Sequence, residues 1–280
     1  MPSAPAPTHS SFLRRLMLSL VLAALCLPAH ADIPPCPEML ASGNPEYPPL
    51  LWRSEDEGEE LTGAIPALLR ELFAPLGVTV NSLYMGSWAR VQRLARTGEV
   101  DIVAGAFVAP DRFQHMNYVQ PPMIHLPSAV WVPKGKKLQF RHWQDLIGLT
   151  GSTLIGNSFG EAFDLFAKEQ LTIEHVRSIN QSFRMARAGR VDYVLYELLQ
   201  GHAKLAREGW ESDFEALPTP VSKEDLFLTL SKQSRCNTFE FRGRVAARLR
   251  DLVESGRVME LVREYTDLYV HEQQAVSPGS

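Results

Sequence analysis

The chain has 280 residues, 45% of them hydrophobic and 21% charged, with a formal net charge of −4. That length and apolar share suit a folded protein able to bury one large core or two smaller ones. The mildly acidic balance gives no footprint of a nucleic-acid binder.

The first 31 residues read as a secretion signal. Arg14 and Arg15 precede the apolar run Leu16 to Leu27, and Ala29-His30-Ala31 offers small residues for cleavage, so the mature chain is expected to begin at Asp32 in the periplasm. The run is too short for the roughly 20 apolar residues that cross a bilayer. Leu25 stands before Cys26, where a lipobox has a small residue, and Arg14-Arg15 only loosely resembles a twin-arginine signal. Cleavage removes two arginines and no acid, taking the balance from 28 against 32 to a net of −6. Cys36 and Cys236 remain, and in an oxidising compartment they read equally as one disulfide or as two separate thiols.

Ile65, Leu68, Leu69, Leu72 and Phe73 form one apolar helical stripe, closed by Pro75 and Gly77, and Val78 and Val80 begin a strand. Ser87 is a candidate N-cap for a helix that ends at Gly98, followed by a strand over Val100 to Ala104. The second half repeats the alternation. Strands are predicted at Thr153 to Ile155, Thr172 to Val176 and Tyr193 to Tyr196, and helices at Glu161 to Glu169 and Asn180 to Ala188. Pro218-Thr-Pro220 leads to a strand over Leu226 to Leu230, then a last long helix from about Phe239 to Tyr265 and a disordered tail. Alternation of this kind favours an α/β fold with mixed, mostly parallel sheets. Ala95-Arg-Thr-Gly-Glu-Val-Asp-Ile-Val103 and Ala186-Arg-Ala-Gly-Arg-Val-Asp-Tyr-Val194 agree at six of nine positions, 91 residues apart. In each, a helix stops at a glycine and a strand follows at once, so two similarly built lobes are expected.

From about Pro45 to Tyr269 the chain resembles the family 3 extracellular solute-binding proteins, best known as amino-acid receptors of ABC transporters. The resemblance is carried by Tyr47-Pro-Pro49 followed by an acidic turn and Gly63, by Trp88 opening a helix, and by Gly98-Glu-Val-Asp-Ile-Val103. Ala109-Pro-Asp-Arg112, Asn117-Tyr-Val-Gln-Pro121 and Gly189-Arg-Val-Asp192 continue it in the family's order. It implies the two-lobed type 2 periplasmic-binding fold. Lobe 1 would comprise residues 32–119 and 220–272, lobe 2 residues 120–219, and the tail residues 273–280. The chain would cross near Tyr118 to Met123 and return near Leu217 to Asp225. Both cysteines then fall in lobe 1, which favours the bridge.

The resemblance also implies a binding set. Arg112 matches the arginine that grips a ligand carboxylate with two parallel N–H donors. Tyr47, Trp52 and Trp88 match cleft aromatics, with Gly105 and Phe107 beside them. Asn157, Ser158, Phe159 and Gly160 lie between a strand and a helix, where backbone N–H groups favour an anion, and Glu161 follows where Ser or Thr is usual. Glu197 matches the carboxylate, normally Asp, that receives the ligand's ammonium group. Phe107 and Ala109 stand where amino-acid receptors carry hydroxyls, so a ligand that is aromatic, or not an amino acid, is expected.

The implied function is capture of a small polar ligand, an amino acid or related carboxylate, by hinge closure, with an inner-membrane ABC permease as partner. A monomer is expected, with no cofactor or metal and no nucleic acid. A sensory receptor and an enzyme on the same fold, such as a cyclohexadienyl dehydratase with Glu197 as general acid, are the alternatives. Gly156-Asn-Ser-Phe-Gly160 also matches the Gly-x-Ser-x-Gly nucleophile elbow, but the downstream histidines, His202 and His271, come without an oxyanion-hole loop upstream.

Overall fold

The computed structural model describes residues 36–53 and 58–276. The expected signal at residues 1–31, the acidic turn near residues 54–57 and the last four residues lie outside this range.

Thirteen strands and seven α-helices are present among the described residues. Strands β1 (Glu38–Ser42), β5 (Thr79–Ser82) and β6 (Ile102–Ala106) run parallel in the first lobe, flanked by helices α1 (Ala64–Phe73) and α2 (Trp88–Thr97). In the second lobe β9 (Thr150–Leu154), β10 (Thr172–Val176) and β11 (Tyr193–Glu197) are parallel in the same way. Helices α3 (Glu161–Gln170), α4 (Ile179–Arg187) and α5 (Leu198–Glu208) accompany them. A small antiparallel sheet of β2 (Glu46–Tyr47), β3 (Leu51–Arg53) and β4 (Leu61–Thr62) stands beside α1.

Two ten-residue strands join the lobes. β8 (Ile124–Pro133) and β13 (Ser222–Ser231) pair antiparallel over Ile124 to Ser128 and Ser222 to Leu226, then diverge. The rest of β8 pairs with β11 and with β12 (Phe214–Ala216), while the rest of β13 pairs with β6 and with β7 (Met116–Tyr118). A hinge built from two paired strands can bend at its exposed middle while each end stays anchored in a separate core.

The repeated motif occupies the same place in both lobes. Gly98 and Gly189 take φ of 81° and 69°, the left-handed conformation that ends a helix and that glycine adopts without a Cβ penalty. Three residues on, Asp101 accepts a hydrogen bond from the Leu40 N–H at 2.9 Å, and Asp192 accepts one from the Thr150 N–H at 2.8 Å. Each aspartate thus ties its strand to the neighbouring first strand of its lobe, Leu40 being in β1 and Thr150 in β9. By the same register Ala106, the last residue of β6, corresponds to Glu197, the last of β11.

The expected final helix is interrupted. Gly256 takes φ of 80°, dividing it into α6 (Phe239–Glu254) and α7 (Arg257–Val276). The second helix runs to Val276 rather than stopping near Tyr265, because Val258, Leu261, Val262 and Tyr269 continue one buried stripe at helical spacing. Cys36 and Cys236 form a disulfide that ties the chain just before β1 to the turn before α6. Among the described residues no helix is long and apolar enough to cross a membrane.

Candidate functional site

In α/β sheets the C-terminal ends of parallel strands are where backbone and side chains converge on a ligand. Here those ends face one another across the hinge. Asn44 and Tyr47 follow β1, Ala106 and Phe107 close β6, Asn157 and Ser158 follow β9, and Glu197 closes β11; together with Trp88, Gly105, Arg112 and Leu226 they line one pocket. Its volume is about 20 Å³, close to that of a single water site, so the lobes must part to admit a larger guest.

The lobes touch around this pocket. The Trp88 indole donates from Nε1 to the Gly156 carbonyl at 3.0 Å, and Gly156 belongs to the loop after β9. The Tyr196 hydroxyl donates to the Glu46 carbonyl, and the partly buried Lys204 pairs with the Glu46 carboxylate at 3.3 Å. Glu46 and Tyr196 are the chain neighbours of Tyr47 and Glu197, so alternation along each strand sends one residue to the pocket and the next to the contact beside it.

Glu197 is the electrostatic centre. It has no solvent exposure, and neither carboxylate oxygen is in a well-formed hydrogen bond. Burial pushes its pKa up to about 7, against a smaller downward pull from its own backbone and from the nearby Tyr47 hydroxyl and Asn157 amide. The Tyr47 hydroxyl is also without a well-formed partner, and burial next to Glu197 drives its pKa far upward.

Arg112 is 4% exposed at the opposite wall. Its Nε donates to Gln92 Oε1 at 3.1 Å, its Nη1 donates to the Phe107 carbonyl at 2.9 Å, and its guanidinium lies 5.4 Å from the Trp88 ring centre. Burial lowers its pKa, while Tyr118, Asp111 and Asp164 act in the other direction.

The loop before α3 is closed on itself. Ser158 Oγ donates to Asp164 Oδ2 at 2.5 Å, the Phe159 N–H donates to Asp164 Oδ1 at 2.9 Å, and the Gly160 N–H points at Ser158 Oγ at 3.4 Å. The expected anion cradle of backbone donors is therefore occupied by an aspartate from the helix's first turn. Ser158 has an aspartate and a backbone amide as partners, which locks the turn and does not assemble a nucleophile with a base.

Four expected residues lie elsewhere. Trp52 is buried against Tyr269, with ring centres 5.0 Å apart, and against Tyr265 under α7. Phe159 turns into the second lobe's core beside Phe163. Gly160 abuts Glu224 of β13, and Glu161 lines a groove outside the pocket with Arg112 and Asp164. Asn44, Ala104, Ala106 and Leu226 line the pocket without having been singled out as binding residues. Asn44 was hidden because β1 carries no β-branched residue to mark the strand it follows. Among the described residues no cluster of three or more His, Cys, Asp or Glu side chains could hold a metal ion.

A family profile described as bacterial extracellular solute-binding proteins, family 3, matches residues 41–267. No curated protein matches the chain. Among solved structures, a mutant of the arginine-binding protein ArgBP from T. maritima is similar at 18% identity and a TM-score of 0.68, covering 82% of this chain and 95% of its own. The amino acid ABC transporter substrate-binding protein AbpA from Streptococcus pneumoniae, bound to L-arginine, is similar at 16% identity and a TM-score of 0.69, covering 83% and 96%. A putative binding component of an ABC transporter from Wolinella succinogenes, complexed with lysine, shares 21% identity at a TM-score of 0.68, covering 81% and 94%.

Proposed function

Because this chain belongs to the bacterial extracellular solute-binding proteins of family 3, we propose that it is a periplasmic receptor that closes on a small amine-bearing solute, an amino acid or a close relative of one. The observation that carries this reading is Glu197: a carboxyl group without exposure or a well-formed partner, at the point where both lobes converge. An ammonium group placed against it would repay the cost of burying that charge. Residues from one lobe, Tyr47 and Arg112, and from the other, Asn157 and Glu197, meet a common guest only when the lobes are together, so the guest stabilises the closed state by its differential contacts.

The signal-like N-terminus and the family support delivery to an ABC permease in the inner membrane as part of this reading. The disulfide suits an oxidising compartment. Thermal melting against a panel of amino acids, amines, organic acids and oligopeptides tests the reading. A ligand at 100 times its Kd adds about 2.7 kcal/mol, which raises Tm by roughly 5–10 °C in a protein of this size. If no member of the panel moves the melting temperature, the receptor reading fails.

One observation favours a second reading. A carboxyl with a pKa of about 7 is also suited to general acid catalysis near neutral pH. Turnover of prephenate or arogenate by the purified protein would support it.

A further inference from the structure

The charged corner beside the pocket is built on the same two elements as the pocket itself. On the first lobe Glu46 and Tyr47 are neighbours in β2; Tyr47 turns to the pocket and Glu46 to the other side, where Trp52 of β3 stands opposite it. On the second lobe Glu197 caps the start of α5 and lines the pocket, and Lys204 follows about two turns along the same helix. Lys204 pairs with the Glu46 carboxylate at 3.3 Å, and the Tyr196 hydroxyl donates to the Glu46 carbonyl. Each lobe thus carries one residue of the pocket and one of the corner on a single short element, so the corner pair fixes how Tyr47 meets Glu197.

This is not a freely solvated surface pair, for only 12% of the Lys204 side chain and 33% of the Glu46 side chain are exposed. Burial works against the lysine charge, and Tyr269 and Glu46 outweigh it, holding its pKa above the usual lysine value. The C-terminal helix α7 backs the corner. The Tyr269 ring centre lies 5.0 Å from that of Trp52, 4.5 Å from the Arg207 guanidinium and 6.0 Å from Lys204 Nζ, and Tyr269 forms one buried cluster with Trp52 and with Ala203 of α5. Loss of the Lys204 charge would leave the partly buried Glu46 carboxylate uncompensated, and β2 would lift to hydrate it, drawing Tyr47 away from Glu197.

We propose that Lys204 is a positioning residue for the site: by holding Glu46 it holds Tyr47 over Glu197 and keeps water from that carboxyl, although Lys204 itself does not line the pocket. The role rests on the receptor reading given above, because it acts through the carboxyl that receives the guest.

The test needs no guest. Carbon-13 NMR of glutamate side-chain carboxyls in the mature, disulfide-bonded protein follows the titration of Glu197, whose signal is assigned by its absence in Glu197→Gln. In the wild type the midpoint is expected at about 7. Lys204→Met is expected to lower it by about one pH unit or more, as water reaches the carboxylate. The sign is diagnostic. Loss of a positive charge acting only through space would raise the midpoint, and loss of a merely structural contact would lower the melting temperature and leave the midpoint in place. Glu46→Gln, a second variant that keeps the shape of Glu46 and all of Lys204, is expected to lower the midpoint as well, and adding Lys204→Met to it is expected to lower it no further. Lys204→Arg, which keeps the charge, should stay near the wild type. A midpoint that does not fall in Lys204→Met, or in Glu46→Gln, overturns the positioning role and leaves the receptor reading intact. A wild-type midpoint in the ordinary glutamate range removes the basis of both.

Discussion

Replacing Glu197 by Gln should change how stability depends on pH. In the folded protein the carboxyl holds its proton to about pH 7, whereas an ordinary Glu gives it up near 4.5. Below 4.5 both states are neutral there and nothing is gained or lost. Between 4.5 and 7 the unfolded chain releases the proton while the folded chain keeps it, so the wild type loses stability as pH rises. Above 7 the slope vanishes, and the accumulated loss is roughly 3 kcal/mol, from 1.36 kcal/mol for each pKa unit. Gln does not titrate, so urea unfolding across this range should show the variant gaining on the wild type by up to that amount. Parting of the lobes would hydrate the carboxylate and cap the gain at the cost of opening. Other titrating groups, such as the buried His115, are common to both proteins and cancel in the difference. A difference that stays constant from pH 4.5 to 8 would show that the carboxyl is hydrated in solution and would remove the basis of the site.

Three further outcomes follow from the geometry. Trp88→Phe removes the hydrogen bond to Gly156 between the lobes; at about 1 kcal/mol the closed-to-open ratio should fall about fivefold, which spin-label distances across the cleft would detect and an unchanged distribution would refute. Gly160→Ala puts a Cβ 2.2 Å from Glu224 Oε1 at a φ of 93°; a loss of about 1–3 kcal/mol is expected in urea unfolding, partly restored by Glu224→Ala, and a neutral result would count against this backbone. Replacing both Cys36 and Cys236 by Ser opens a covalent loop spanning 200 residues; chain entropy puts the loss at roughly 5 kcal/mol, and a denaturation midpoint unmoved by the change would show that the bridge does not constrain the unfolded chain.

The alternating helices and strands of both lobes were legible because their apolar residues keep helical spacing and their glycines stop the helices. The strand β1 was not, since Glu38-Met-Leu-Ala-Ser42 has little intrinsic strand preference; its place between β5 and β6 holds it extended. The long crossover β8 was hidden by His125 and Pro127, which interrupt its apolar run. At the site, residue types pointed to Arg112 and Glu197, yet which acceptors Arg112 serves depends on Gln92 and on the Phe107 carbonyl, contacts that exist only once the loop has folded. Trp52 misled because an aromatic near Tyr47 can face the cleft or the opposite side, and the packing of Tyr265 and Tyr269 decides the matter.

The matching strand ends Ala106 and Glu197 give the two sides of the cleft similar backbone and different charge. A receptor assembled from two like halves could greet a visitor in either direction, and a single acid on one half removes that ambiguity. On the proposed reading, polarity of entry is set by one residue in two similarly built halves, and moving the acid to the other half would turn the visitor around.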